Sequence, residues 1–226
     1  MKKLLILAII TVLMLTTCGT NENNTLTTKE KNNGWQLLFD GKTTDDWHGY
    51  LEDSAGDGWV VEDGLLYCKG LGGDIGGDII TDKKFDNFVF KVEWKISKGG
   101  NSGIFYHVIE DEKYNAPYLT GPEYQLIDDD GFPQPLEEWQ KAGADYAMYS
   151  ANEKKQLNPQ GEWNTTKIVF DNGHVEHWLN GEKIVEFEAW SDDWNKRKAE
   201  GKWQDYPDYG IFKTGHIGLQ DHGNEA

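Results

Sequence analysis

The chain has 226 residues, with 22 Lys and Arg against 39 Asp and Glu, and a formal charge of −17. That length suits one sandwich-sized core and excludes a small disulfide scaffold, while the charge repels the phosphate backbone, so no nucleic-acid partner is expected. Aromatic residues make up 13% of the chain and Gly occurs 26 times, which excludes disorder over most of its length. Ring faces stack on sugar C–H groups while carboxylates and amides bind hydroxyls, so this mixture is one that sugar-binding proteins carry.

In chain order, Met1-Lys2-Lys3 precedes an apolar run over residues 4–15 that is too short to span a bilayer, and then Thr16-Thr17-Cys18-Gly19. This predicts a signal peptide over residues 1–17. Leu15-Thr16-Thr17-Cys18 resembles a bacterial lipobox, so Cys18 is the expected lipidation site. The expected location is the cell envelope of a bacterium, periplasmic or outer-membrane-associated. With Cys18 acylated, Cys68 has no disulfide partner and is expected to be a buried small hydrophobe. Residues 18–33 have almost nothing to bury and read as a lipidated Cys with a flexible tether.

From residue 34 to 226 the pattern is that of one all-β domain, an antiparallel sandwich with short helical insertions. Strands over 59–62 and 65–68 flank Asp63-Gly64, and strands over 88–97 and 103–108 flank Gly99-Gly100-Asn101. Further strands are expected at 123–128 and 216–220. Residues 166–171, 174–179 and 183–188 form a meander through Asn172-Gly173 and Asn180-Gly181, the dipeptide of type I′ turns. Helix is expected only at 136–141 and 191–200, and the Trp-rich segment 190–203 reads as a surface insertion. Residues 128–131 and 74–78 lack the ligand spacing of a calcium loop and read as acidic surface turns.

Alternation separates the packed face from the wet one. Phe88, Phe90, Val92, Trp94 and Ile96 form a packed face. Three other strands carry chemistry on their polar faces: Phe105 with His107, Glu123 with Gln125, and His216 with Gln220 and His222, Gly218 leaving room between them. One concave sheet would gather these into a cluster of carboxylate, amides and imidazoles. A Ser or Cys nucleophile has no support, since Ser102 lacks an activating context.

Gly34-Trp35-Gln36-Leu37-Leu38-Phe39-Asp40-Gly41, Asn101-Ser102-Gly103-Ile104-Phe105-Tyr106, Gly121-Pro122-Glu123-Tyr124-Gln125, His177-Trp178-Leu179-Asn180-Gly181 and Gly215-His216-Ile217-Gly218-Leu219-Gln220-Asp221-His222-Gly223 follow one another in order. Together they resemble the 3-keto-disaccharide hydrolase family. The resemblance implies a concanavalin-A-like jelly roll acting on glycosides already oxidised at carbon 3, some members stopping at the elimination product. It also implies a further hydrophobic strand after the His-Gly motif, so the sandwich is expected to lack its last strand.

A carbonyl at carbon 3 acidifies the carbon 2 proton and places the anomeric leaving group β to the ketone, so cleavage needs a base, an acid and donors for an enolate. Glu123 is the expected base, and His216 or His222 the acid or its exchange partner. Asn101, Gln125 and Gln220 would hold the enolate or sugar hydroxyls, with His107 a further contact and Trp178 or Tyr124 a stacking surface. No cofactor is expected. A divalent metal on His107, Glu123, His216 and His222 would polarise the ketone, but no short-spaced ligand motif supports it. Expected partners are a 3-keto-glycoside, the membrane through Cys18, and a separate glycoside 3-oxidoreductase. The alternative is a non-catalytic, lectin-like surface lipoprotein on the same fold.

Overall fold

The computed structural model describes residues 24–70 and 77–223. The signal peptide, Cys18 and most of the 74–78 turn lie outside the described residues. Within the expected tether, Thr28–Asn32 forms one short helix, α1. Thr27 and Glu30 close a reciprocal capping box around it, and it buries none of its residues.

The strands that follow are β1 (Trp47–Gly49), β2 (Trp59–Glu62), β3 (Leu65–Cys68), β4 (Ile79–Phe85), β5 (Phe88–Trp94), β6 (Asn101–Val108), β7 (Glu123–Ile127), β8 (Asn164–Asp171), β9 (His174–Leu179), β10 (Glu182–Glu188) and, after helix α2 (Asp192–Glu200), β11 (Gly215–Leu219). They build a five-stranded sheet in the order β1-β4-β11-β6-β7, a four-stranded sheet in the order β10-β9-β8-β5, and the β2–β3 hairpin. All pairs are antiparallel. The fold is the expected antiparallel sandwich of jelly-roll type.

The meander forms as its turns dictate. Asn172 and Gly173 sit at φ 51° and 97°, Asn180 and Gly181 at 48° and 90°, the left-handed values a type I′ turn demands. Asn180 also bonds across the turn, its Oδ1 accepting from the Thr165 N–H at 2.8 Å. Alternation then sends Val175, His177 and Leu179 inward and leaves His174, Glu176 and Trp178 on the outer surface. The same rule on β5 buries Phe90 and Trp94, and the Trp94 indole N–H donates to Thr166 Oγ1 at 2.9 Å inside the core.

Between the sheets, Ile79, Ile104, Tyr106, Tyr124, Leu126 and Ile217 meet Phe90, Ile168, Phe170, Val175 and Leu179. Cys68 is buried as expected, and burial pushes its thiol up to about 12. The 136–141 segment yields only a 3-10 turn, Glu138–Gln140. Helix α2 forms where expected, Ser191 Oγ accepting from the Trp194 N–H as an N-cap. Segment 190–203 is more than a surface insertion: Trp194 and Trp203 are buried, and Tyr209 stacks on Trp203 with ring centroids 4.0 Å apart. Rings separated by charged residues conceal this part of the core, because the charges stay in water while Trp194, Trp203 and Tyr209 join the same buried cluster as the strands.

Phe170 sits at the centre of this packing, beside the rings of Phe88, Tyr106, His107 and Trp190. Phe170→Ala is expected to lower stability by about 3–5 kcal/mol through loss of burial and the cavity left behind. Guanidinium denaturation followed by Trp fluorescence checks it, with the midpoint falling at unchanged slope.

Candidate functional site on the outer face of the five-stranded sheet

Strands β6 and β7 are buried on both faces along their whole length. The face turned away from the core therefore cannot be an ordinary solvated surface, and the residues on it are polar. Register places His48, Ile80, Gly218, Phe105 and Glu123 side by side across β1, β4, β11, β6 and β7. One step along lie Tyr50, Asp78, Gln220, Gly103 and Gln125. That row is joined by Tyr50 N–H to Asp78 O at 2.9 Å, Gln220 N–H to Gly103 O at 2.9 Å, and the Gly103–Gln125 pair. Asn101 follows on β6.

Two glycines make the floor. A Cβ on Gly103 would lie 2.1 Å from Glu123 Oε1, so the Glu123 carboxyl leans over the space that Gly103 leaves. A Cβ on Gly218 would press on Phe105 Cδ2 at 3.3 Å and Ile79 O at 3.4 Å. Glu123 is 5% exposed, and its carboxyl has no hydrogen-bond partner among the described residues. Burial pushes it up to about 8; the Lys202 charge pulls down, and the charges of Asp78 and Asp145 push up. Lys202 is held at the edge, its Nζ 4.2 Å from the Tyr146 ring centre and 4.8 Å from that of Trp203.

Around that floor stand polar atoms without partners among the described residues: Asn101 Oδ1, Gln220 Oε1 and His216 Nε2. Buried polar groups are otherwise satisfied almost without exception, so a set of free ones on one face marks a place prepared for a ligand. His216 Nδ1 lies 2.5 Å from Thr81 O. A carbonyl only accepts, so Nδ1 carries the proton and the buried Nε2 presents a lone pair. Burial holds the His216 ring below its ordinary value, helped by the charges of Lys84 and His48. Gln125 Oε1 is engaged by the Leu126 N–H at 3.0 Å, leaving its amide nitrogen for the face. His222 is exposed, past the end of β11.

Toward the β1 edge the face continues into a hollow of about 360 Å³ lined by His48, Leu51, Glu52, Asp53, Asp82 and Glu110. His48 is the hinge of that end. Burial opposes its charge, but Asp82 at 2.6 Å and Glu110 at 3.3 Å prevail and raise it. Its ring meets that of His216 edge-on at 6.1 Å. The unsatisfied atoms run along the face from His216 near this end to Asn101 at the other, with Gln220 in the row of Gly103 between them.

Three expected contacts fall elsewhere. His107 does not share a face with Phe105. Between Phe105 and Val108 strand β6 has one residue more than β11 has between Gly218 and His216, and His107 takes φ 55° to absorb it. The bulge turns its ring inward, 4.3 Å from Phe170, with Nε2 donating to Asp86 O at 2.8 Å, and Val108 takes the place beside Phe105 and Ile80. Trp178 lies on the outer surface of the opposite sheet, with Lys167 Nζ 3.4 Å above its ring centre. Tyr124 is core, its hydroxyl donating to Trp178 O at 3.3 Å. With His107 turned away, the four-residue metal set is not assembled on this face. Among the described residues, His174, Glu176 and Glu186 come close enough together to hold an ion, but they lie on the opposite surface with Lys183 already bound to both carboxylates.

Asp78 was not foreseen. The 74–78 stretch reads as a surface turn because glycines surround it, yet β4 begins at Ile79 and alternation sets Asp78 with Ile80 and Asp82 on the site face. Asp128, also read as a surface turn, is 7% exposed and accepts from the N–H groups of Gly99 and Gly131 at 2.8 and 3.0 Å.

Fold and face together define a jelly-roll protein with a buried polar face on its five-stranded sheet. The chain belongs to the family of 3-keto-alpha-glucoside-1,2-lyase-like domains, whose model matches residues 34–226. It is 34% identical to the 3-keto-disaccharide hydrolase of Bacteroides thetaiotaomicron, over 85% of this chain and 75% of that one. A crystal structure from Parabacteroides distasonis, of a protein with the provisional name glycosyl hydrolase, superposes at a TM-score of 0.84 with 48% identity, covering 89% of this chain and 94% of that one. A second structure of the same provisional name from that organism shares the fold at a TM-score of 0.58 and 24% identity, covering 77% of this chain and 90% of that one.

Gly103→Ala drives a methyl group into the Glu123 carboxyl. The variant is expected to fold, with melting within a few degrees of the parent, but to lose ligand-dependent thermal stabilisation because the Glu123 side chain is displaced. Differential scanning fluorimetry with and without oxidised glycosides measures both.

Proposed function

We propose that this chain cleaves the glycosidic bond of sugars that carry a carbonyl at carbon 3, by elimination followed by addition of water. The observation that carries the reading is Glu123, a carboxyl 5% exposed on the same face as Asn101 Oδ1, Gln220 Oε1 and His216 Nε2, atoms without partners among the described residues. An ordinary glycosidase must stabilise an oxocarbenium ion. A 3-keto sugar needs only a base for the carbon 2 proton, and a carboxyl raised to about 8 has a basicity suited to that work near neutral pH.

The remaining groups take roles by their chemistry. Asn101, Gln125 and Gln220 supply amides that bind the enolate oxygen or sugar hydroxyls without titrating. His216 presents a lone pair at Nε2 and suits acceptance of a hydroxyl proton. His222, exposed beyond β11, lies off the buried face and is given no step. The substrate must come from a reaction that oxidises a glycoside at carbon 3, so a separate glycoside 3-oxidoreductase is the functional partner. Sequence identity to a relative named 3-keto-disaccharide hydrolase supports this substrate class.

Incubation with 3-keto-glucosides and with the unoxidised glycosides tests the reading. Release of the aglycone from the keto form alone is expected, and Glu123→Gln is expected to reduce it by about two to four orders of magnitude, the usual worth of a general base. Saturable binding without cleavage of either form would instead assign a lectin-like role.

The Cys18 lipobox motif supports a lipid-anchored protein of the bacterial cell envelope. Metabolic labelling of expressing cells with an alkyne fatty acid is expected to tag the chain, and Cys18→Ser to abolish the tag and release the protein into the soluble fraction.

A further inference from the structure

We propose that Asp78 is the proton donor to the leaving group and that it works with Glu123 as a single acid–base pair; this rests on the elimination reading above. Asp78 lies on the site face by the same alternation that places Ile80 beside Phe105, and Glu123 stands opposite Phe105 on β7. Three inter-strand steps separate β4 from β7, about 14 Å at the backbone. Between them lie β11 and β6, which put Gln220 and Gly103 in the Asp78 row and Gly218 and Phe105 in the Glu123 row, so the two glycines sit diagonally between the carboxyls. A ring seated over the glycines therefore has one carboxyl on each side, Glu123 leaning in over Gly103 and Asp78 reaching from beyond Gln220. One oxygen of Asp78 is fixed: Oδ1 accepts the Asp221 N–H at 2.8 Å, which aims the side chain.

The charges around the two groups couple their protons. Burial pushes Asp78 up to about 7, the Asp221 N–H pulling down and the Asp221 charge pushing up; the Cys68 thiol is the other titratable group that feels it. Glu123 faces Lys202, Asp145 and Asp78. Carboxyls that repel each other across a dry face hold one proton between them near neutral pH, and they titrate as a pair. Elimination draws on the form of that state in which Glu123 is ionised and Asp78 keeps the proton.

The steps balance. Ionised Glu123 takes the carbon 2 proton, the electron pair forms the carbon 1–carbon 2 double bond, the carbon 1–oxygen bond breaks, and the Asp78 proton goes to the departing oxygen. Glu123 is then protonated and Asp78 ionised, the state required for the return step. Asp78 takes a proton from water as the oxygen adds to carbon 1, and Glu123 returns its proton to carbon 2. The pair ends as it began, with one water consumed.

The test compares leaving groups. Asp78→Asn keeps an oxygen for the Asp221 N–H but has no proton to give. On 3-keto-glucosides with an alkyl or sugar leaving group, its aglycone release is expected to fall by about 100-fold or more. On the 4-nitrophenyl 3-keto-glucoside, whose leaving group departs unprotonated, it is expected to fall less than about fivefold, with the alkaline limb of the pH–rate profile removed. Equal losses on both substrates, with binding and melting unchanged, would overturn the donor role, and so would full activity on the sugar leaving group. If Asp78→Asn unfolds, the same leaving-group comparison on Asp78→Glu decides: activity retained on both supports a donor, and a uniform loss overturns it. Wild type that cleaves no 3-keto-glycoside, or Glu123→Gln that keeps full turnover, overturns the elimination reading itself. An Asp78→Asn variant that keeps full activity on the sugar leaving group, beside an active wild type and an impaired Glu123→Gln, overturns only the pair.

Discussion

A carboxyl taken out of water without a cation bonded to it is costly, and the protein escapes the cost by letting Glu123 hold its proton. That constraint organises the five-stranded sheet. Strands β6 and β7 must be covered on both faces for Glu123 to be dry, so the site face is closed at one edge by the loop carrying Trp203 and Lys202. At the other edge it is closed by the segment that binds Tyr50, whose hydroxyl donates to Ile109 O at 3.0 Å. The glycines are the other half of the solution. Side chains at Gly103 and Gly218 would fill the space that Glu123 and a ligand require, so the floor is bare backbone.

How far the chain could be read from its letters follows from the range of the forces involved. The Asn-Gly hairpins were legible because a type I′ turn is decided by two residues, and the packed face of β5 because alternation is decided by five. The position of Glu123 and Gln125 on one face was legible for the same reason. His107 was not, because its bulge answers to distant groups: a Cβ on Gly215 would lie 2.4 Å from the His107 carbonyl carbon, and the ring nests against Phe170. Only the assembled sheet brings those together. Trp178 was legible in principle, since Val175, His177 and Leu179 already claim the inward side of β9. Asp78 was hidden by the glycines before it, which read as a turn although they lead into a strand.

The opposite sheet shows what an unspecialised polar face looks like. On it His174, Glu176, Lys183, Glu186 and Glu188 satisfy one another: Lys183 Nζ lies 3.0 Å from Glu176 and 2.6 Å from Glu186, and His174 Nδ1 lies 2.6 Å from Glu188. Every charge has its neighbour, and the exchange with water makes such pairs worth little. The site face has the reverse character, fewer charges and more orphans. That contrast, rather than the number of acids in the chain, separates chemistry from surface.

A second buried carboxyl lies beneath the site, between the sheets. Asp145 is fully buried, Tyr106 donates to its Oδ1 at 3.4 Å, and His177 lies within 3.4 Å of the same hydroxyl. Burial drives Asp145 well above its ordinary value and His177 down to about 4, favouring the uncharged form of each. The consequence reaches the face above. An ionised Asp145 would repel a negative charge on Glu123; a protonated one does not. Any charge on Asp145 adds to burial of Glu123 itself and to Asp78 across the floor in raising its basicity, against Lys202 at the rim. The more firmly the core acid holds its proton, the more Glu123 answers to the groups that a substrate can touch.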